Sequence, residues 1–186
     1  TGETIAFVGP SGSGKTTLAH LVSKNSGKDM YPFNAVLGGV ADLKKLIQSA
    51  MEVKSNFGKD SIIFIDEIHR FNKAQQDALL PHVEKGSFTL IGATTENPRS
   101  SINPALLSRV QIIPLKKLSE DEVLKILQTV CKKNQITLVE NALECLADYS
   151  HGDARSALNI LEIIIQSKVP LDLLQIRSII LENARE

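Results

Sequence analysis

The chain has 186 residues, and its 21 lysines and arginines balance 21 aspartates and glutamates, so its formal net charge is zero. This balance excludes a strongly basic or acidic molecule that finds nucleic acid or an anionic membrane through its overall charge. A hydrophobic fraction of 42% and a charged fraction of 23% are ordinary for a globular protein and exclude an intrinsically disordered chain.

The start of the chain and its cysteines give no sign of export or of a membrane anchor. The first five residues lack a basic, apolar leader, and no run approaches the roughly 18 apolar residues of a membrane span. Cys131 and Cys145 form no CxxC pair and fall in helical patterns, where buried thiols are expected. We expect a soluble protein of the cytosol or of the nucleus. Because residue 1 is not Met, we also expect a segment of a longer protein.

Short β-branched runs alternate with helical patterns in the first half, which is typical of a parallel sheet covered by crossover helices. The predicted strands are Thr4–Val8, Ser61–Ile65, Phe88–Ala93 and Val110–Leu115. Between the first two strands, one apolar stripe at helical spacing predicts a helix that packs on the sheet. The stripe consists of Leu43, Leu46, Ile47, Ala50 and Met51, with Lys44, Lys45 and Glu52 outside it.

The pattern changes after Leu115, and the remaining residues predict helices without a convincing strand. Ser119–Glu122 predicts a capping box, and Asp153 is the predicted N-cap of a later helix. We therefore expect an α/β domain over residues 1–115 and a small helical domain over residues 116–186. The first predicted helix follows the capping box, with Val123, Leu124, Leu127 and Val130 at helical spacing. Three more helices are predicted near residues 140–150, 153–167 and 173–183. In the second of these three, the predicted buried stripe consists of Ala157, Leu158 and Leu161.

Gly9-Pro-Ser-Gly-Ser-Gly-Lys15-Thr16 matches the phosphate-loop pattern, in which two glycines separated by four residues precede a lysine and a hydroxyl residue. The loop follows a predicted strand and opens a predicted helix, so its backbone N–H groups and the positive helix end converge on one small volume. Lys15 is then placed to reach the β- and γ-phosphates of a nucleotide, and the Thr16 hydroxyl to bind Mg²⁺. The expected nucleotide-binding residues are Gly9, Pro10, Ser11, Gly12, Ser13, Gly14, Lys15, Thr16, Thr17 and, from a later strand, Asp66.

A buried predicted strand ends in two carboxylates, Asp66 and Glu67, at the sheet edge where parallel-sheet proteins place their chemistry. Asp66 is expected to hold Mg²⁺ together with Thr16, and Glu67 to orient and polarise an attacking water. This pair favours hydrolysis over phosphoryl transfer to a second substrate. The alternative interpretation is a solvated turn after the strand.

Polar residues also end the third predicted strand, in the segment Thr94–Pro98. Thr95 is the first candidate for holding the attacking water and Asn97 the second, while an ordinary Asn-Pro turn is the alternative. Further along, Arg109 ends a short predicted helix and Arg155 lies near the start of a later one. Either arginine alone is an unremarkable surface residue.

Taken in order, these features resemble the AAA+ ATPases of the clamp-loader clade, with their Walker A, Walker B, sensor 1, Ser-Arg finger and sensor 2 motifs. Two stretches are more particular: Asp66-Glu-Ile-His-Arg-Phe-Asn-Lys-Ala-Gln-Gln-Asp-Ala-Leu-Leu-Pro-His-Val-Glu-Lys-Gly86 and Leu90-Ile-Gly-Ala-Thr-Thr-Glu-Asn-Pro98. They resemble the replication-associated recombination protein A group, whose eukaryotic relatives are the Werner-helicase-interacting and maintenance-of-genome-stability ATPases. The resemblance covers nearly the whole chain, including Asn34–Leu43 and Gly152–Asn159.

The resemblance implies a P-loop NTPase parallel sheet sandwiched by helices over residues 1–115, without its N-terminal segment, followed by an all-α lid domain. It implies Mg²⁺-dependent ATP hydrolysis coupled to DNA remodelling or protein loading at replication forks. Glu67 would activate water and Thr95 would be sensor 1. Arg109 would serve the ATP of a neighbouring subunit, and Arg155 would reach the γ-phosphate from the lid of its own subunit. The implied partners are other copies of the chain in a tetrameric or hexameric ring, DNA with single-strand or fork character, and replication proteins, with no membrane.

The chain departs from the family pattern at Pro98-Arg-Ser-Ser101, where Phe is expected after Asn-Pro-Ser, and at Ser108-Arg109-Val110, where Cys or Ala usually follows Arg. Neither departure removes a catalytic group. The resemblance places adenine-contacting residues before Thr1 and a tetramerisation region after Glu186. The His69–Phe71 segment fits a DNA-facing or intersubunit element and a capped loop before a helix equally well, and we assign it no role.

The sequence also leaves other functions open. The chain fits a clamp-loader or Holliday-junction-motor-like subunit, and a nucleotide-gated adaptor whose bound state recruits partners without obligatory turnover. A small-molecule kinase shares the phosphate loop, but the paired acids and the helical second domain argue against it. Lysines at positions 116, 117, 132 and 133 fit a DNA-binding patch or ordinary solvated helix faces.

Overall fold

The computed structural model describes residues 4–167 and 172–183. The chain divides into two compact units. Unit 1 takes in Gly14–Leu115 together with the chain up to Gly9, and unit 2 takes in Pro10–Ser13 together with the chain from Lys116 onward. No helix in these described ranges combines the length and the apolar character needed to cross a membrane.

Unit 1 is built on a parallel sheet, which among the described residues has five strands in the order β2-β3-β4-β1-β5. In β3 and β4 every residue except Asp66 is buried, as continuous apolar runs predict for central parallel strands. The predicted parallel sheet is therefore confirmed. The strands are β1 Thr4–Val8, β2 Asp29–Asn34, β3 Ser61–Asp66, β4 Thr89–Thr94 and β5 Val110–Pro114.

The two edge strands explain where sequence reasoning fell short. Strand β2 was not predicted, because Asp29, Pro32 and Asn34 interrupt its apolar pattern. A proline is tolerated there because an edge strand leaves one row of backbone N–H groups without a sheet partner. At the other edge, β5 was predicted, yet Gln111 and Ile112 are exposed, and among the described strands β5 pairs with β1 alone.

Helices pack on both faces of the sheet because successive residues of a strand point to opposite faces. Ile62 and Phe64 of β3 belong to a core cluster with Ala19 of the first helix. Ile63 and Ile65, which point to the opposite face, belong to a second cluster with Leu43 of the second helix. The predicted stripe on that second helix is confirmed, with Leu43, Ile47 and Ala50 buried, Leu46 and Met51 half-buried, and the charged residues exposed. The helices of unit 1 are α1 Lys15–Ser26, α2 Val40–Phe57, α3 Lys73–Lys85, α4 Pro98–Ser101 and α5 Pro104–Leu107, with one 3-10 turn at Ile68–Arg70.

In unit 2 the described residues form helices around one apolar cluster, as predicted. The Ser119 capping box and the Asp153 cap are both present, since Ser119 Oγ accepts from the Glu122 N–H and Asp153 Oδ1 from the Ser156 N–H. The predicted buried stripe of the third helix was partly wrong, because Leu158 is only half-buried and Ile160 and Ile164 complete the stripe. The helices are α6 Glu120–Asn134, α7 Ala142–Tyr149, α8 Ala154–Gln166 and α9 Leu173–Asn183.

The two cysteines lie on α6 and α7 as free thiols. Cys131 is buried, and burial raises the pKa of its thiol above the ordinary value. Cys145 is half-buried, so the expectation of two buried thiols was right for only one of them.

Candidate nucleotide-hydrolysis site

The phosphate loop leads into α1 through two glycines in left-handed backbone conformations, Gly12 at φ 66° and Gly14 at φ 87°. A side chain at either position is strained, which explains the need for glycine. Helix α1, whose residues are all described, has no side-chain cap and no acidic residue in its first turn. Its N-terminal N–H groups and its positive dipole end are thus arranged to receive an anion such as a phosphate.

Lys15, the first residue of α1, is buried with 8% of its surface exposed. Its Nζ donates a hydrogen bond of 2.8 Å to the Gly9 carbonyl oxygen, so the ammonium group lies against the start of the phosphate loop. The Gly9 N–H in turn donates to the Thr94 carbonyl oxygen at 3.1 Å. The beginning of the loop is therefore tied to the end of β4, where the polar strand end was predicted.

The two predicted acids lie at the carboxyl end of β3. Asp66 is its last residue, and Asp66 Oδ1 accepts the Glu67 N–H at 3.1 Å. Glu67 itself has left-handed dihedrals, φ 54° and ψ 44°, an unusual conformation for a residue with a side chain. Such strain of about 1 to 2 kcal/mol persists where surrounding contacts outweigh it, and it is common at functional sites.

Thr16 and Asp66 bring a hydroxyl and a carboxylate, both half-buried, to unit 1. These oxygen donors are the kind that Mg²⁺ prefers, and two protein ligands suit a cation that keeps several waters and binds substrate phosphates. The donor set therefore fits a phosphate-bound magnesium ion.

His69 follows two residues after Glu67, and only 3% of its side chain is exposed. Its Nδ1 lies 2.9 Å from Thr94 Oγ1, and its Nε2 lies 3.2 Å from Glu67 Oε2 and 3.5 Å from Glu96 Oε1. Sequence reasoning assigned no role to His69 and did not single out Thr94 or Glu96. The available signal was the position of Thr94, the last residue of a strand that is buried throughout.

The two candidates for holding water differ in their surroundings. Thr95 is exposed and directly follows β4. Asn97 caps α4, because its Oδ1 accepts the Arg99 N–H at 3.0 Å. This cap supports the ordinary Asn-Pro turn at position 97, and the role of Thr95 stays a prediction.

The two predicted arginines lie apart from this cluster in the chain. Arg109 is exposed just after α5, and its Nη2 lies 2.8 Å from Glu84 Oε1 on α3. Arg155 is the second residue of α8 in unit 2, where it is exposed. The contacts in unit 1 thus join Gly9, Lys15, Glu67, His69 and Thr94, while both arginines stay predictions.

Residues 5–118 match the family model described as ATPase family associated with various cellular activities (AAA). Residues 125–165 match a second model, the RCF1/5-like AAA+ ATPase lid domain. The chain therefore belongs to the AAA family of ATPases, and the predicted small helical lid is confirmed as a class of domain.

Within this family, the chain is similar to proteins named for replication-associated recombination. It is 47% identical over 163 residues to replication-associated recombination protein A of Coxiella burnetii, which covers 84% of this chain and 36% of that protein. It is 43% identical over 169 residues to the ATPase WRNIP1 of Dictyostelium discoideum, covering 86% of this chain and 19% of that protein. The chain thus spans little more than a third of the first relative and less of the second. These similarities confirm the resemblance to the replication-associated recombination protein A group.

Among solved structures, the RuvB Holliday junction branch migration motor of Thermotoga maritima superimposes with a TM-score of 0.76 at 25% identity. The match covers 98% of this chain and 61% of that one. It confirms the predicted fold class, a P-loop parallel sheet with helices followed by a helical lid.

Proposed function

We propose that this chain is the ATP-hydrolysing part of a DNA-associated AAA+ ATPase that acts at replication forks. It would comprise a nucleotide-binding domain of residues 1–115 and a lid of residues 116–186. The names of its relatives support the link to replication and recombination. A location at the nucleoid or in the nucleus follows from that role.

The position of Glu67 is the observation that carries the proposal. Its carboxylate directly follows β3, next to Asp66, and 36% of its side chain stays exposed. Hydrogen bonds tie Lys15 to Gly9, and Gly9 to the end of β4. An accessible carboxylate one residue after a magnesium-type acid, in a domain that also has a phosphate-binding loop, is suited to hydrolysis.

In the proposed reaction, Lys15 and the N-terminus of α1 bind the β- and γ-phosphates of ATP. Glu67 accepts a proton from a water whose oxygen attacks the γ-phosphorus, and the bond from that phosphorus to the β–γ bridging oxygen breaks, giving ADP and phosphate. Thr95 holds the water. Thr16 and Asp66 would hold Mg²⁺, which neutralises phosphate charge when bound.

The proposed assembly is a ring of copies of this chain, a tetramer or hexamer in the full-length protein. Arg109 would reach the ATP of the neighbouring subunit, and Arg155 the γ-phosphate of its own. An arginine supplied by a neighbour can raise a phosphoryl-transfer rate by about 10³ to 10⁵, by analogy with GTPases. DNA with single-strand or fork character is the proposed partner, and the exposed lysines 116, 117, 132 and 133 are candidates for contacting it.

Phosphate release by the full-length protein, with and without forked or gapped DNA, tests the proposal. Lys15→Ala should abolish nucleotide binding, whereas Glu67→Gln should keep binding and lose turnover. If the Glu67→Gln variant still hydrolyses ATP at the wild-type rate, Glu67 is not the residue that activates the attacking water. If Glu67→Gln loses turnover but keeps full function in cells, the protein is a nucleotide-gated adaptor instead. Phosphate transferred to an added small-molecule acceptor would indicate a kinase.

A further inference from the structure

His69 lies in a buried position with both ring nitrogens facing polar groups. Nδ1 lies 2.9 Å from the Thr94 hydroxyl, and Nε2 faces the carboxylates of Glu67 at 3.2 Å and Glu96 at 3.5 Å. With only 3% of the side chain exposed, water contributes little to satisfying these nitrogens. The ring orientation is therefore set by its protein partners.

The partners also determine which nitrogen carries hydrogen. Ionised carboxylates only accept hydrogen bonds, so Nε2 must be a donor toward Glu67 and Glu96. In the neutral ring Nδ1 is then an acceptor, and the Thr94 hydroxyl donates to it. The same hydroxyl oxygen accepts the Glu96 N–H at 3.0 Å. Hydrogen bonds thus connect the Glu96 backbone through the Thr94 hydroxyl to the His69 ring, and the other side of the ring faces the Glu67 carboxylate in a contact of 3.2 Å.

Thr94 connects this chain to the phosphate loop. Its side chain is fully buried at the end of β4, and its carbonyl oxygen accepts the Gly9 N–H at 3.1 Å. One residue therefore contacts the start of the phosphate loop with its backbone and His69 with its side chain. Thr95, the proposed sensor, is the next residue.

Close packing holds the 3-10 turn that carries His69 against β4. Gly92 of β4 lies under Ile68, and a Cβ at position 92 would lie 2.9 Å from Ile68 Cδ1. The turn begins directly after Glu67, whose left-handed backbone directs the chain into it. The ring of His69 is thus placed by the same backbone that places the carboxylate it contacts.

We propose that His69, supported by Thr94, is a positioning residue that orients the carboxylate of Glu67 for water activation, an inference that rests on the proposed function. His69 touches neither water nor nucleotide in this role. Its Nε2–H fixes one oxygen of Glu67, which leaves the other oxygen to accept the proton from water. Glu96, at the longer distance of 3.5 Å, is a second carboxylate that holds the ring in place.

A purely structural role for His69 makes a different prediction. If the ring only fills space, its loss should weaken folding and nucleotide binding together. If the ring orients Glu67, its loss should lower kcat while the affinity for nucleotide is preserved, because Lys15 and the phosphate loop are intact. A glutamine can place an amide N–H near the position of Nε2, so it should restore part of the rate only in the positioning case.

The test measures kcat, KM for ATP and binding of a fluorescent ATP analogue in the full-length protein. The variants are His69→Ala, His69→Gln, Thr94→Val, the double variant His69→Ala/Thr94→Val and Glu67→Gln. Thr89→Val is the matched control, because Thr89 is also buried on β4 but its hydroxyl accepts from Lys28 Nζ instead. Thr94→Val preserves shape, so it decides the question even if His69→Ala fails to fold.

We expect His69→Ala to lower kcat by about 10- to 100-fold, the scale of a misplaced catalytic group, with nucleotide affinity unchanged within about twofold. His69→Gln should recover part of that loss, Thr94→Val should lower kcat by a smaller factor, and the double variant should be no slower than His69→Ala. Thr89→Val should match the wild type. An unchanged kcat in Thr94→Val, or equal losses of kcat and affinity in His69→Ala, would overturn the inference while Glu67→Gln still abolishes turnover. If the wild type and Glu67→Gln release phosphate equally slowly, the proposed function itself fails, and with it this inference.

Discussion

Arg109 and Glu84 form an ion pair on the surface of unit 1, with Nη2 and Oε1 2.8 Å apart and side chains 42% and 45% exposed. Nη1 of the same arginine donates to the Ala105 carbonyl oxygen at 2.9 Å and to Ser108 Oγ at 3.1 Å. An exposed pair of this kind contributes about 0 to 1 kcal/mol. In the proposed ring, the ATP phosphate of a neighbouring subunit would therefore displace Glu84 from the guanidinium at little cost.

If Arg109 acts on a neighbouring subunit, two inactive variants should complement each other. Arg109→Ala subunits retain Glu67, and Glu67→Gln subunits retain Arg109, so an interface between them contains both groups. Equal amounts mixed in one ring should recover about a quarter of wild-type turnover if subunits exchange freely around a head-to-tail ring. Phosphate release by the mixture measures this. A mixture no more active than its components, despite subunit exchange detected by labelled protein, would place Arg109 outside the neighbour's site.

The left-handed backbone of Glu67 should affect stability independently of catalysis. Glu67→Gly should be about 1 kcal/mol more stable than Glu67→Ala, because glycine adopts φ 54° without the steric cost of a Cβ. Urea unfolding of both variants measures the difference. Gln135, at φ 55° directly after α6, provides the matched control. Gln135→Gly should likewise be more stable than Gln135→Ala. An alanine variant at position 67 as stable as the glycine variant would contradict the assigned strain.

A side chain at position 92 should destabilise the protein. Gly92→Ala places a methyl group 2.9 Å from Ile68 Cδ1, and both residues are buried, so we expect a loss of about 1 to 3 kcal/mol in unfolding free energy. Because Ile68 precedes His69, the variant should also lower kcat. Gly39→Ala is the control, since its added methyl meets only Asp42 Oδ2 at 3.6 Å. Equal stability of the two alanine variants would show that Ile68 repacks freely.

His82 should make stability depend on pH. Burial lowers its pKa below the ordinary value of 6.5, with a smaller contribution from the charge of Lys85. The unfolded chain then binds a proton at higher pH than the folded protein, so stability is highest above about pH 6.5 and falls as the pH drops toward the folded pKa. Urea unfolding at about pH 7.5 and 5.5 should show a smaller decrease for His82→Gln than for the wild type. An equal decrease in unfolding free energy in both proteins would show that His82 is not the source of the pH dependence.

Much of the fold follows from local patterns in the sequence. The continuous apolar runs of β3 and β4 predict central strands, and the stripe from Leu43 to Met51 predicts α2, because burial on two faces and burial on one face leave different periodicities. Strand β2 escaped prediction because an edge strand needs no such continuous run. The burial of Leu158 was overestimated because the 3.6-residue period does not by itself locate the centre of the buried face of α8.

The candidate site shows the same division between what residues reveal locally and what folding decides. The phosphate loop and the paired acids were recognisable from the sequence alone, because their chemistry depends on residue types at fixed short spacing. The contacts of His69 with Thr94 and of Arg109 with Glu84 join residues 25 apart in both cases. Only the folded chain brings such partners together, because their separation depends on how β3, β4 and the helices between them pack, and no local spacing encodes that packing.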